Sequence, residues 1–266
     1  MGCAELLKSV TECVLLAGEI LSAEWSLPGG PRGHGDKAEV DVEIEALLRK
    51  SLLALLDCDF WGEETGSRLT GHKYCWVVDP NDGTRDFLEG RKGSAISVGL
   101  LRDAIPVLGV VYAPVTSDRG PDCISWAEGC GNVIRNGREV SSRARLRTLS
   151  PGSRVLMSSA AANNPTINAQ LCSPADFVPM PSIAYRLARV AAGDAIACAS
   201  LVPVSAHDVV GGHALLKGAR GVLLNQEGAP LTYDSVALMT RASNRCFGGM
   251  PEACRDLVGR EWQRLF

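Results

Sequence analysis

Apolar residues recur along 4–22 at Leu7, Val10, Val14, Ala17 and Leu21, a spacing that puts them on one face of a helix. Residues 23–38 break that period with Pro28-Gly29-Gly30-Pro31 and Gly33-His34-Gly35, and read as a loop. The helical period returns over 40–57 with Val42, Ile44, Leu47, Leu48, Leu52 and Leu55. Asp41, Glu43 and Glu45 load its first turn, where the helix dipole favours acids. From there the pattern shifts to short apolar runs separated by turn residues. Strands are expected over Tyr74–Val78, Ala95–Leu101, Val107–Tyr112, Cys123–Glu128 and Asn132–Arg135, and close spacing predicts an antiparallel sheet. Arg143–Ser153 reads as a linker with a turn at Pro151-Gly152. Beyond it, strands at Val155–Ser158, Asp194–Ala199 and Gly221–Leu224 alternate with helices at Ser182–Ala192 and Ala206–Lys217. That alternation predicts a smaller α/β second half, with a boundary near 145 that divides the chain into 1–145 and 146–266.

Composition narrows the classes. The 266 residues are 46% hydrophobic and 21% charged, enough apolar content for a sizeable core. A net charge of -3 argues against a general nucleic-acid binder, which needs a basic face. The first twenty residues lack a basic n-region, and Glu5, Lys8 and Glu12 interrupt the apolar run, unlike a signal peptide. Met1-Gly2 begins a myristoylation pattern, but Leu6 stands where Ser or Thr is required. The longest apolar stretch carries Arg102, Asp103 and two prolines, too broken for a membrane span. The ten cysteines form no C-x-x-C pair and no histidine lies near Cys123 and Cys130, so reduced thiols in a cytoplasmic protein are expected.

Four places set carboxylates beside turns or helix starts: Asp41, Glu63-Glu64, Asp79 with Asp82, and Asp208. Each has an ordinary explanation: a favourable helix terminus, a solvated loop, an Asp-Gly turn, a helix cap. Asp79 fits its ordinary explanation worst. It follows Cys75-Trp76-Val77-Val78, at the mouth of a buried strand, where desolvation demands a cation or donors. Pro80 stops the ladder in this reading and lets Asp79 and Asp82 face one point, as hard cations such as Mg²⁺ require. Gly83-Thr84 then open a helix whose amides suit phosphate. Acids that hold metal beside an anion cradle point to phosphoryl chemistry.

The segments DPNDGT at 79–84, GEE at 62–64 and AHDVVGGHALL at 206–216 resemble the inositol monophosphatase superfamily of Mg²⁺-dependent, lithium-sensitive phosphatases. Further matches, in family order, are DKAEVDVEIE at 36–45, PVLGVVYAPV at 106–115, IRNGREV at 134–140 and GVLLNQEGAPLTY at 221–233. The resemblance implies a fold of alternating layers of helices and sheets, an α/β layered sandwich with the site between the two halves. It implies that Glu64, Asp79 and the backbone carbonyl of Asn81 hold one Mg²⁺, and that Asp79, Asp82 and Asp208 hold a second, with Glu64 the route to a weaker third. Asp41 and Thr84 would orient and deprotonate the attacking water, and the Gly83 and Thr84 amides would cradle phosphate. A homodimer is the family expectation.

Three positions depart from the family pattern. Ala38 stands where a Thr is usual, Asn81 where Ile or Leu is usual, and His207 where Trp is usual. His207 reads either as packing or as a substrate contact, and His213 as structural. Gly83-Thr84-Arg85-Asp86-Phe87 is closer to the G-T-K-E-F of 3'(2'),5'-bisphosphate nucleotidases than to the G-T-T-N-F of inositol phosphatases. Arg186 falls where nucleotidases often carry Lys, and reads either as a contact to a second phosphate or as a solvated helix face with Arg189. The expected substrate is therefore a small phosphate ester, of the 3'-phosphoadenosine 5'-phosphate type or an inositol monophosphate. Histidinol-phosphate and sugar-phosphate phosphatases share the fold, and a phosphate-binding protein without catalysis is the alternative from another class.

Overall fold

The computed structural model describes residues 2–140 and 147–266. The expected boundary near 145 and the first residues of the expected 143–153 linker lie outside the described residues.

Helix α1, Cys3–Trp25, and helix α2, Glu39–Leu55, form the first layer. The apolar stripe of α1 is buried as its period requires: Leu7, Val10, Val14, Ala17 and Leu21. On α2 the buried stripe is Val40, Ile44, Leu48 and Leu52, while Val42 is exposed. The stripe follows i, i+4, i+8 and i+12, and Val42 falls off that face.

Behind these helices lies a sheet built from β1 (Asp59–Gly62), β2 (Tyr74–Asp82), β3 (Ala95–Arg102), β4 (Ile105–Ala113) and β5 (Asp122–Ala127). Two-residue strands at 67–68 and 138–139 on the edges, and at 134–135 just inside one of them, complete its eight strands. Pairing is antiparallel except that β1 runs parallel to β2, which corrects the expectation of a purely antiparallel sheet. The loop expected at 23–38 contains a short antiparallel pair, Gly33–His34 with Lys37–Ala38.

The second sheet runs β7, β6, β8, β10, β9 in space, with β6 (Arg154–Met157), β7 (Asp176–Pro179), β8 (Ala197–Ser200), β9 (Val222–Asn225) and β10 (Cys246–Gly249). Between the sheets lie the helices at Ile183–Ala191 and Ala206–Gly218. With α3 (Thr84–Leu88) and α4 (Pro165–Cys172) counted in chain order, these are α5 and α6. One apolar cluster joins Val77, Val111 and Trp126 of the first sheet to Leu187 and Leu215 of α5 and α6, and to Cys198 and Leu223 of the second sheet. A third cluster packs the far face of the second sheet against Leu171 of α4 and Leu257 in the helix Pro251–Val258. The order is helices, sheet, helices, sheet, helices.

Glycines let α6 lie unusually close to the first sheet. A Cβ at Gly109 would sit 2.2 Å from the Gly211 carbonyl oxygen, and one at Gly211 2.6 Å from Ser97 Oγ. This contact fixes where the N-terminus of α6, and Asp208 with it, meets the end of β2. No helix among the described residues is long and apolar enough to cross a membrane. All ten cysteines are free.

Candidate functional site

The site forms where β2 breaks its register. β2 pairs with β3 through Asp79↔Ser97, slips, and resumes at Asp82↔Ala95. Pro80 therefore produces a bulge rather than the end of the ladder that the sequence suggests. The bulge re-aims the chain, and the Asn81 amide donates to Asp79 Oδ1 at 2.9 Å across it. Gly83, at φ 94°, adopts the left-handed conformation and starts α3.

Asp79, Asp82 and Asp208 converge so that one carboxylate oxygen of each lies within 4.8 Å of the others. The two β2 acids are buried, and no Lys or Arg among the described residues forms an ion pair with any of the three. Burial, then the neighbouring acids, pushes the Asp79 carboxyl well above its usual range. Burial and Asp208 raise Asp82 to about 6, against hydrogen bonds from Ser182 and Ala184 and the nearby charge of Arg186. Burial raises Asp208 to about 6, opposed by its bond from the Ser205 amide. Raised carboxyls without basic partners mark a place that stores repulsion until a cation arrives. The oxygen-only donor set suits a hard divalent ion.

Around this cluster the structure sorts the other expected residues. Asp41 is buried on α2, accepts from Asn81 Nδ2 at 3.0 Å and from the Ala38 amide at 3.3 Å, and is raised to about 7, chiefly by burial. The Thr84 hydroxyl lies 2.8 Å from the Asn81 carbonyl oxygen and 3.3 Å from Asp41 Oδ2, one donor facing two acceptors. Asn81 acts through its side chain as well as its backbone, beyond the backbone role expected of it.

The expected pair Glu63-Glu64 divides. Glu63, not Glu64, brings a carboxylate oxygen within 4.8 Å of Asp79 and His207. Glu63 keeps part of its side chain exposed, yet desolvation of its carboxyl against the cluster, with Asp208, Glu64 and Asp82 nearby, lifts it to about 8 against a hydrogen bond to Asp79. Glu64 feels Glu45 and Lys37 more strongly than the cluster. Successive side chains of an extended segment point to opposite sides, so only one of an adjacent pair can face the cluster.

Two residues that organise the site have no site role in the sequence reading, and Glu45, expected in the first turn of its helix, lies beyond that turn. Glu45, fully buried, accepts from the Glu64 amide at 2.9 Å and from the Thr65 hydroxyl at 2.6 Å. It packs so closely on Gly62 that a Cβ there would lie 2.2 Å from Glu45 Oε1. Its position four residues after Asp41, on the same helix face, was the available signal. Ser182 caps α5, and its hydroxyl and the Ala184 amide each donate to Asp82 Oδ2 at 2.6 Å. No local pattern links Ser182 to an acid 100 positions away.

Arg186 corrects both of its readings. It is 4% exposed, and its guanidinium donates to the Ser182 carbonyl at 3.2 Å and to the Ala199 carbonyl. It stands behind Asp82 as a buried positive charge, neither a solvated face nor an open phosphate contact. Arg189 is bound to Asp194 and Asp118. His207 sits at the cluster with Nε2 3.7 Å from Asp208 and 4.0 Å from Glu63, and burial lowers its pKa below the usual value. His213 is paired with the Tyr233 hydroxyl at 2.9 Å, consistent with a structural role.

A layered α/β fold with converging acids at a strand bulge and a helix start defines a class, and the inositol monophosphatase family model matches residues 5–252. The chain belongs to that family. An inositol-1-monophosphatase, ImpA, of Mycolicibacterium smegmatis is 28% identical over 269 residues, covering 88% of this chain and 89% of that protein. A fructose-1,6-bisphosphatase/inositol-1-monophosphatase of Aquifex aeolicus is 34% identical over 103 residues, where the match spans 38% of this chain and only 37% of that protein's length. The solved inositol monophosphatase of Anabaena shares the fold with a TM-score of 0.73 at 22% identity, over 96% of this chain and 94% of that one.

Proposed function

We propose that this chain is a Mg²⁺-dependent phosphomonoesterase acting on a small phosphorylated metabolite. The observation that carries the reading is the convergence of Asp79, Asp82 and Asp208 from both halves of the chain, with no Lys or Arg ion pair to them among the described residues, beside the Asp41–Thr84 pair. Glu63, Asp79, Asp82 and Asp208 would hold the ions, with the Asn81 carbonyl as a further oxygen donor. When bound, Mg²⁺ supplies Lewis-acid charge to the phosphoryl oxygens and lowers the pKa of a water.

The chain's own residues do the rest. Asp41 takes the proton of the attacking water through the Thr84 hydroxyl, a two-step relay within hydrogen-bond reach. Asn81 Nδ2 and the Ala38 amide hold the Asp41 carboxylate in place for that transfer. The Gly83 and Thr84 amides begin α3 without helical partners and serve as donors to phosphate. Ser182 and Ala184 hold Asp82, and Glu45 holds the turn that presents Glu63.

For the ester itself, a 3'(2'),5'-bisphosphate nucleotide and an inositol monophosphate stand nearly level: Gly83-Thr84-Arg85-Asp86-Phe87 leans to the first, and the burial of Arg186 removes its expected contact to a second phosphate. Asp86 accepts from Ser159 at 2.7 Å and pairs with Arg91, so within this stretch Arg85 is the exposed charge. A homodimer and lithium inhibition are further expectations of this reading. The test is phosphate release with Mg²⁺ across inositol 1-phosphate, 3'-phosphoadenosine 5'-phosphate, fructose 1,6-bisphosphate and histidinol phosphate, compared by kcat/KM. Turnover of at least one ester, lost in Asp82→Asn, is expected. No release from any of them would favour a phosphate-binding protein.

A further inference from the structure

We propose that His207 is a metal ligand, so that the corner formed by Glu63, Asp79 and His207 takes a first-row transition ion such as Mn²⁺ in preference to Mg²⁺. The inference rests on reading the acidic cluster as a metal site, and adds a nitrogen donor to it. One donor atom from each of Glu63, Asp79 and His207 lies within 4.8 Å of the other two. Nε2 of His207 is 4.0 Å from Glu63 Oε1 and 3.7 Å from Asp208 Oδ1. Two ligands each about 2.1 Å from one ion stand ~3 Å apart when adjacent and at most ~4.2 Å apart when opposite, so the groups draw in by up to about 1 Å around a shared ion.

The surroundings of the imidazole point the same way. The side chain is 17% exposed, and none of the described residues hydrogen-bonds either ring nitrogen, Nδ1 being buried. The unpartnered Nδ1 is the nitrogen that would carry the proton of a metal-bound imidazole, and the candidate ligand atom is Nε2. Here the polar groups that face it are carboxylates of the cluster, at separations of ligands rather than of hydrogen-bonded pairs. Ser205 and Ala206 start α6, so His207 and Asp208 occupy consecutive first-turn positions and can reach neighbouring corners of one site.

Donor chemistry sets the preference. Mg²⁺ demands oxygen ligands in near-ideal octahedral geometry and keeps its waters. Imidazole favours first-row transition ions over Mg²⁺, with Mn²⁺ the weakest binder of the Irving–Williams order and therefore the most stringent case, chosen because its nitrogen coupling is directly readable. A family site with Trp at this position offers oxygen donors alone. The chain departs from that pattern at the one residue whose side chain adds nitrogen.

The test uses the full chain, free of affinity tags and stripped of metal. Mn²⁺ is titrated with electron paramagnetic resonance to count bound ions, and pulsed measurements read ¹⁴N coupling from directly coordinated imidazole. Wild-type protein should show that coupling, and His207→Gln should lose it. The same substitution should weaken Mn²⁺ about tenfold while moving Mg²⁺ affinity much less. Mn²⁺ bound without nitrogen coupling in the wild type would overturn the proposal, whatever the variant does. Coupling that persists in His207→Gln would do so too, by assigning it to another histidine. No Mn²⁺ bound at all, or binding unaffected by Asp82→Asn, would instead sink the reading of the cluster.

Discussion

Replacing Asp82 by Asn tests the acidic cluster through stability, apart from catalysis. The folded protein raises Asp82 from 3.8 to about 6, roughly 2 units, by burial and by Asp208. At about 1.4 kcal/mol per unit, the metal-free fold carries ~3 kcal/mol of penalty from ionising this carboxylate beside Asp208, a cost the two acids share. The sign follows from linkage. A carboxyl raised in the folded state binds its proton more tightly there than in the unfolded chain. The penalty is therefore absent below about pH 4 and complete above about pH 6. Asn removes the charge but keeps an oxygen to accept from Ser182 and Ala184, with bonds weaker by ~1 kcal/mol in total than those to a carboxylate. The metal-free variant should be more stable than wild type at pH 7.5 by about 1–2 kcal/mol, a rise in Tm of roughly 2–6 °C. At pH 4, with that penalty gone, the variant should be no more stable than wild type, and less stable by up to ~1 kcal/mol. Mg²⁺ at a hundred times its Kd adds ~2.7 kcal/mol to the wild type and should add little to the variant, so the order of stability inverts. Thermal melts with EDTA and with Mg²⁺, at both pH values, read all four conditions. A metal-free variant less stable than wild type at pH 7.5, or equal Mg²⁺ stabilisation of both, would refute the reasoning.

Four further outcomes follow from the geometry. Glu63→Gln should weaken Mg²⁺ by about tenfold in calorimetric titration, whereas Glu64→Gln should change it far less; the reverse order would return the ligand role to Glu64. Asp41→Asn should lower kcat by about 10²- to 10⁴-fold with KM nearly unchanged, if Asp41 moves a proton rather than binds substrate. Gly109→Ala drives a Cβ to 2.2 Å from the Gly211 carbonyl, and should cost at least ~2 kcal/mol in urea unfolding while weakening metal binding through displaced Asp208. Arginine neighbours hold Asp118 down near 2 and lower Asp194 as well. Their stabilising effect is present above about pH 4 and lost as pH falls toward 2, so Asp194→Asn should flatten the acid limb of urea midpoints in that window.

Much of the fold was legible in the chain. The apolar stripe of α1, the strands β2 to β5 and the helix at 206 all appear near their expected limits, because period and turn residues are local signals. β1 escaped notice because four residues ending in Gly62 show too little alternation. Its parallel partner was hidden because no hairpin joins it to β2. The strand at 246–249 and the helix at 251–258 were likewise unread, since CFGG is glycine-rich and its neighbours on both sides are distant in sequence.

The sequence by itself determined which acids were available and that Asp79 could not be an ordinary surface carboxylate. A strand as apolar as Cys75-Trp76-Val77-Val78 must be buried, and an acid at its end must find compensation. Tertiary structure alone decided which acids meet. The slip between Asp79 and Asp82 depends on pairing with β3, and the approach of Asp208 depends on α6 resting on Gly99 and Gly109. The choice of Glu63 over Glu64 depends on how Glu45 grips their turn. Arg186 became a buried brace because α5 is covered on both sides by sheets. These are contacts between residues tens of positions apart, set by packing and register, and no local period records them.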